Sequence, residues 1–294
     1  MSIDGFLNLN KPSGITSFGL VAQVKGICGE RRVGHAGTLD PIATGVLPIC
    51  LGLATRLVEY LHDTTKTYMA EVHLGRATDS YDATGQITYI GDYTQVTPGL
   101  LEEALASLQG SIDQKPPAYS AIKVNSRPLY RLARAGVQVE PRARKVQVYQ
   151  LHILGWQPPR LRLEIECGKG TYIRSLAHDL GIRLGCGAYL HSLVRTRYGP
   201  FRLAEALTLA QVAEAFHNNR EPAILQPLEV ALSHWPSVTL NEEQQRLLSH
   251  GRPIPLESQP TGALCAARSP QGIFIAVLRL DPATGLWHPR KVFL

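Results

Sequence analysis

Asp40 is the only carboxylate between Glu30 and Glu59, in the run Gly34-His35-Ala36-Gly37-Thr38-Leu39-Asp40-Pro41, and Arg31, Arg32, His35 and Arg56 surround it in sequence. Cationic neighbours favour the charged form of an acid, so Asp40 is expected to ionise below the usual carboxylate range. Pro41 biases it toward extended backbone, in which a side chain is presented rigidly. A fixed, ionised carboxylate can act as a nucleophile or stabilise a developing cation. The same residues also suit an Asp-Pro turn with no chemistry in it.

Arg174 raises the complementary question. It falls in the first turn of a predicted helix, where the macrodipole disfavours a cation, so a partner is expected: a buried carboxylate such as Asp40, or Glu166 at the surface. Tyr68 and Tyr172 offer flat faces to a nucleobase, or half-buried core. Cations and tyrosines interleave in Lys115, Tyr119, Lys123, Arg127, Tyr130, Arg131, Arg134, Arg142, Arg144 and Lys145. Such a stretch suits a phosphate backbone with exposed bases, or a solvated basic face.

Other chemistries lose their signals. The sequence holds no GxxxxGK[ST], GxGxxG, GxSxG or HExxH, and Ser120-Ala-Ile-Lys123 matches S-x-x-K without the companion motifs of that class. Five scattered cysteines form no CxxC, and the ten histidines show no zinc spacing beside them, so neither a disulfide framework nor a metal is expected. A net charge of +6 permits a polyanionic partner. The start Met1-Ser2-Ile3-Asp4-Gly5 has neither the basic nor the apolar stretch of an export signal, and no apolar run approaches the roughly 20 residues that span a bilayer, so a cytoplasmic location is expected.

The elements that must position these residues can be read from periodicity. Strands are predicted near 5–12, 67–74, 146–154, 161–167, 273–280 and 288–294, the second and fourth from alternating apolar faces. Helices are predicted from Ser17, from Pro98 behind a Thr97 cap and ending at Gly110, from about Thr171 to Gly181, behind the Thr208/Gln211 capping box, and over 241–250. The glycines and prolines between Arg31 and Leu53 predict a mostly ordered loop, and the three prolines of 219–236 predict a linker. With 294 residues, a large domain followed by a small β-rich one is expected.

Taken in order, these segments resemble the bacterial tRNA pseudouridine synthase B family. The resemblance rests on Leu9-Asn10-Lys11-Pro12 with Gly14 and Ser17, the run from Gly34 to Pro48, Lys66-Thr67-Tyr68, Asp79-Ser80-Tyr81-Asp82-Ala83-Thr84-Gly85, the run from Lys115 to Lys123, and Gly168-Lys169-Gly170-Thr171-Tyr172-Ile173-Arg174-Ser175-Leu176. It implies a mixed α/β (α+β) fold on a curved, mainly antiparallel sheet, with a catalytic unit over 1–235 and a small β-rich PUA-like RNA-binding unit over 236–294. It also implies isomerisation of the T-loop uridine at tRNA position 55. Asp40 falls on the catalytic aspartate, Tyr68 on the tyrosine that stacks on the target base, and Arg174 on the arginine that pairs with the aspartate. His35, Tyr172 and Leu193 fall on positions that line the flipped-out nucleotide or fill the gap it leaves. No cofactor or metal is implied, the partner is the T-arm of tRNA, and a monomer with no obligate protein partner is expected. Two rivals remain, a synthase working within a guide-RNA particle and a noncatalytic RNA-binding protein.

Overall fold

The computed structural model describes residues 3–120, 122–124, 127–129, 137, 141–256 and 260–293. The chain enters through β1 (Gly5–Lys11), α1 (Ser17–Cys28), β2 (Val33–His35), β3 (Thr44–Leu51), α2 (Val58–His62) and β4 (Lys66–Leu74). A hairpin of β5 (Arg76–Thr78) and β6 (Ile87–Ile90) precedes α3 (Pro98–Ala106), β7 (Gly110–Gln114) and the short pair β8 (Lys123–Val124) and β9 (Arg127–Pro128). Then come β10 (Arg144–Gln157), β11 (Arg160–Cys167), α4 (Ile173–Arg183), β12 (Ala188–Tyr198), β13 (Phe201–Arg202) and α5 (Leu209–His217).

Nine of these strands form one sheet, in the order β1-β3-β12-β4-β11-β10-β7 with β2 on β3 and β13 on β12. Every pairing is antiparallel except that of β3 with β12. The alternation that predicted β4 is realised: Tyr68, Ala70, Val72 and Leu74 are buried while Met69, Glu71 and His73 face outward. Leu20, Val21 and Val24 of α1 and Ile173, Leu176, Ala177 and Leu180 of α4 close the same core over the inner face. The predicted caps form as well. Thr97 accepts from the Leu100 N–H, and Thr208 and Gln211 make a full capping box; Thr16, not singled out from the sequence, caps α1 by accepting from the Gly19 N–H.

Three expectations need correction. The 31–53 stretch is not mostly loop, because β2 and β3 occupy 33–35 and 44–51. From Gly45 to Leu51, β3 is buried throughout, so it lacks the alternation by which a half-exposed strand is recognised. The β12 strand went unread although it lies between β3 and β4; ladder shifts at Leu190/Ser192 and Arg195/Arg197 break its period of two. The 219–236 segment is packed, not a free linker: Gln226 bridges Phe6 of β1, and Ala231 and Leu232 are buried. In addition, α3 stops at Ala106, and Gly110 opens β7 instead of ending the helix.

A second sheet follows, β14 (Ser237–Thr239), β15 (Leu264–Arg268), β16 (Phe274–Leu280) and β17 (Trp287–Val292), with α6 (Glu242–Ser249) between the first two. Its own core is built from Leu240, Leu248, Ile254, Cys265, Leu278 and Trp287. Ala266, Phe274 and Val277 also join Phe6, Tyr198 and Phe201 in one apolar cluster. Among the described residues no helix is long and apolar enough to cross a membrane.

Candidate active site

Asp40 sits on the connection between β2 and β3, and that connection is fastened along its length. Ala36 donates its N–H to the Pro48 carbonyl, Ser17 Oγ both donates to the Leu39 carbonyl and accepts from the Leu39 N–H, and Gly14 donates to the Pro41 carbonyl. Two buried cations add to this. Lys11 Nζ donates to the carbonyls of Pro12, Ile15 and Pro41 at 2.9, 2.8 and 3.3 Å, and Arg195 donates to those of Val46 and Gly37 at 2.7 and 3.1 Å. Two glycines permit the close approach. Gly45 has φ +98° and a Cβ there would lie 2.3 Å from the Arg195 carbonyl oxygen; Gly37 has φ +101° and faces the Tyr198 ring.

Arg174, at the second position of α4, meets Asp40 directly. Its Nη2 donates to Asp40 Oδ1 at 2.9 Å, and its Nε lies 2.9 Å from Oδ2 with the N–H not aimed at that oxygen. Nη2 also donates to the Tyr119 carbonyl at 3.1 Å; Nη1 donates to the Ser80 carbonyl at 3.4 Å and lies 3.6 Å from Asp82 Oδ2. The guanidinium is 5% exposed and the Asp40 side chain 34%, so the acid, not the base, faces outward. The cation at the helix start is thereby compensated by two carboxylates, and Glu166 is not its partner.

The expected lowering of the Asp40 pKa is overturned. Burial raises it, Asp82 adds to the rise, and these outweigh Arg174 and Lys11. Arg31 and Arg32 are exposed, and Arg56 instead donates to the Val292 carbonyl at 2.9 Å, so sequence neighbours do not supply the field at the acid. The sign has two consequences. The folded state holds this proton more tightly than the unfolded chain, so the contribution of Asp40 to stability falls as pH rises from the ordinary carboxylate value through the raised one. Chemistry that needs the ionised acid should show the opposite trend. Single-turnover rates are expected to fall on acidification at a pH above that of a free aspartate; a limb at the ordinary value would contradict the burial argument.

The other sequence-derived residues are placed as follows. Tyr68 is buried on β4, opposite Ile165 and Arg195; burial pushes its phenol up, Asp40 adds to this, and Arg195 opposes it. Tyr172 is the residue before α4, clamped by Gln114, which accepts from its N–H at 2.8 Å and donates to its carbonyl at 3.0 Å. Burial raises its phenol too. His35 lies on β2 with a buried, unpartnered Nδ1, and burial lowers its pKa. Leu193 packs in the main core opposite Ala70. In the basic stretch Lys115, Arg142, Arg144 and Lys145 are exposed, whereas Tyr130, Arg131 and Arg134 lie outside the described residues.

The residue-by-residue reading assigned no role at the site to Lys11, Asp82 or Arg195, nor to the buried Lys66, whose ammonium donates to the His62 and Thr64 carbonyls. Burial lowers the Lys11 and Lys66 ammonium groups to about 8 each. Asp82 is organised by its own turn, Oδ1 accepting from Ser80 Oγ at 2.8 Å and from the Thr84 N–H at 2.9 Å. No local pattern marks a charge as buried; the available signal was that Lys11, Lys66 and Asp82 each fall inside a motif run that carries the family resemblance.

Comparison with known proteins places the chain in a family. A model described as the N-terminal domain of TruB family pseudouridylate synthases matches residues 25–173, and one described as the C-terminal domain of tRNA pseudouridylate synthase B matches 174–233. The tRNA pseudouridine synthase B of Dehalococcoides mccartyi is 49% identical over 292 residues, covering 99% of this chain and 97% of that one. That of Geobacillus thermodenitrificans is 40% identical over 99% of this chain and 100% of its own. Among solved structures, a Cbf5-Nop10-Gar1 complex matches with a TM-score of 0.77 at 29% identity, covering 99% of this chain and 85% of the matched one. Two consecutive domain matches and near full-length identity above 40% lead to one conclusion: the chain belongs to the TruB family of pseudouridylate synthases, enzymes that isomerise uridine to pseudouridine.

Proposed function

We propose that this chain converts the T-loop uridine at tRNA position 55 to pseudouridine, with Asp40 as the essential acid. The observation that carries the reading is a partly exposed carboxylate, on a rigid connection, gripped from its buried side by Arg174. The reaction breaks the bond from N1 to the sugar, turns the base and joins C5 to the same sugar carbon; the C5 proton leaves and N1 gains one. Atoms and electrons balance with no oxidant or co-substrate. Asp40 acts on the sugar carbon or the base, or assists elimination, and Arg174 positions it.

The uridine must leave its stack, at a cost of a few kcal/mol that replacement contacts offset. Tyr68 is assigned to stack on the base, His35 and Tyr172 to line the nucleotide, and Leu193 to fill the vacated space. Lys115, Arg142, Arg144 and Lys145 supply phosphate contacts. The catalytic unit is assigned to 1–235, and the small sheet over 236–294 is read as a PUA-like RNA-binding unit. The enzyme is read as a cytoplasmic monomer. Likeness to a Cbf5 complex favours a second reading, action only within a particle of guide RNA and partner proteins. The purified chain with an unmodified T-arm stem-loop separates the two. Pseudouridine at the T-loop position without any addition is expected; product only after guide RNA and partners are added would replace the first reading with the second.

A further inference from the structure

The sheet carries another cluster of reactive side chains on its outward face, away from Asp40. Glu71 and His73 project from β4 on the side opposite Tyr68 and Val72. β12 runs antiparallel beside them, and its ladder shift between Leu190 and Ser192 leaves His191 as the extra residue. A bulge re-aims a side chain, and here it sets the His191 ring against that of His73, with centroids 4.1 Å apart and planes 4° from parallel. His73 Nε2 lies 2.8 Å from Glu71 Oε1, and its Nδ1 lies 3.2 Å from the Tyr189 hydroxyl. One carboxylate oxygen and one nitrogen from each ring lie within 4.8 Å of one another.

We propose that Glu71, His73 and His191 bind a first-row transition-metal dication of the zinc class, joining β4 to β12. Two imidazoles and one carboxylate are the donor set that such ions take, with further positions left to water. Magnesium and calcium, which prefer all-oxygen shells, fit poorly. Donor atoms on a tetrahedral zinc are about 3.4 Å apart, so the widest pair must close by up to about 1.4 Å while His73 Nε2 and Glu71 Oε1, now 2.8 Å apart, open by about 0.6 Å. His191 is exposed and free to make that rotation. The metal takes the place on Nε2 now facing Glu71, the neutral His73 ring carries its proton on Nδ1, and Tyr189 accepts it, as outer partners of ligating histidines do. Sequence spacing gave no sign of this site, because its ligands come from two strands more than a hundred residues apart.

The test titrates metal-free protein with zinc chloride by calorimetry and follows the thermal midpoint. One equivalent is expected to bind at micromolar metal and to raise the midpoint, and a chelator to reverse both, while magnesium does neither. His191→Ala and Glu71→Gln are expected to lose the zinc response, and Tyr189→Phe to weaken affinity about 10-fold. Cobalt should give a visible ligand-field band with wild type that is absent with His191→Ala. No uptake by wild type, or equally tight uptake by His191→Ala and Glu71→Gln, would overturn the assignment.

Discussion

Asp40→Asn is expected to abolish pseudouridine formation while leaving T-arm RNA binding within a few-fold of wild type. The substitution keeps the shape and one oxygen for Arg174 Nη2, and removes the charge that chemistry requires. A loss of at least about four orders of magnitude in the single-turnover rate is expected, equivalent to about 5.4 kcal/mol of barrier. Folding should hardly change. Burial already disfavours the charged carboxylate, and Asp82 stays beside Arg174 to balance it, so the stability shift should stay within about 1 kcal/mol. Urea unfolding and a binding isotherm alongside the rate keep these effects apart. Retained turnover would sink the assignment of Asp40, and binding without product from wild type as well would favour a noncatalytic RNA-binding protein.

Arg174→Lys comes next, with an expected activity loss of about 100-fold or more. The guanidinium reaches Asp40, Asp82 and the carbonyls of Ser80 and Tyr119 at once, from three nitrogens in a plane. An ammonium concentrates its donors at one point and cannot span that set. Whichever partners it keeps, a buried carbonyl or carboxylate loses a bond, which costs about 1–3 kcal/mol of stability for each such group. The loss should fall mainly on the chemical step, because the guanidinium is only 5% exposed and offers RNA almost no surface. Near-normal turnover would show that Asp40 needs a nearby positive charge but not this geometry.

Much of the architecture was legible from strands with one wet face and helices with capped starts. Thr67 to Leu74 and Leu161 to Cys167 declared themselves because each alternates, and Thr208 with Gln211 marked a helix by hydrogen-bond chemistry alone. The centre of the sheet was harder. β3 is apolar on both faces, and β12 loses its phase at two ladder shifts. At the site, the mismatch of a cation at a helix start pointed correctly to a carboxylate partner for Arg174. The same local reasoning failed for the Asp40 pKa. It counted charges nearby in the chain, whereas burial dominates and the remaining field comes from Arg174, Asp82 and Lys11, all of which only the fold brings about. Lys11 and Arg195 escaped notice because their bonds go to backbone carbonyls, which every residue type carries.

Those two buried cations also bear on how the enzyme fails under heat. Loops usually melt before the body they decorate, and a catalytic loop then loses function below the global transition. Here the segment holding Asp40 shares its bonds with α1, β1 and β12, so it has few ways to open while the sheet stands. Loss of catalysis on warming should therefore coincide with collapse of the whole domain. Cooperativity of this kind leaves proteases no state in which the Asp40 segment is open while the sheet stands.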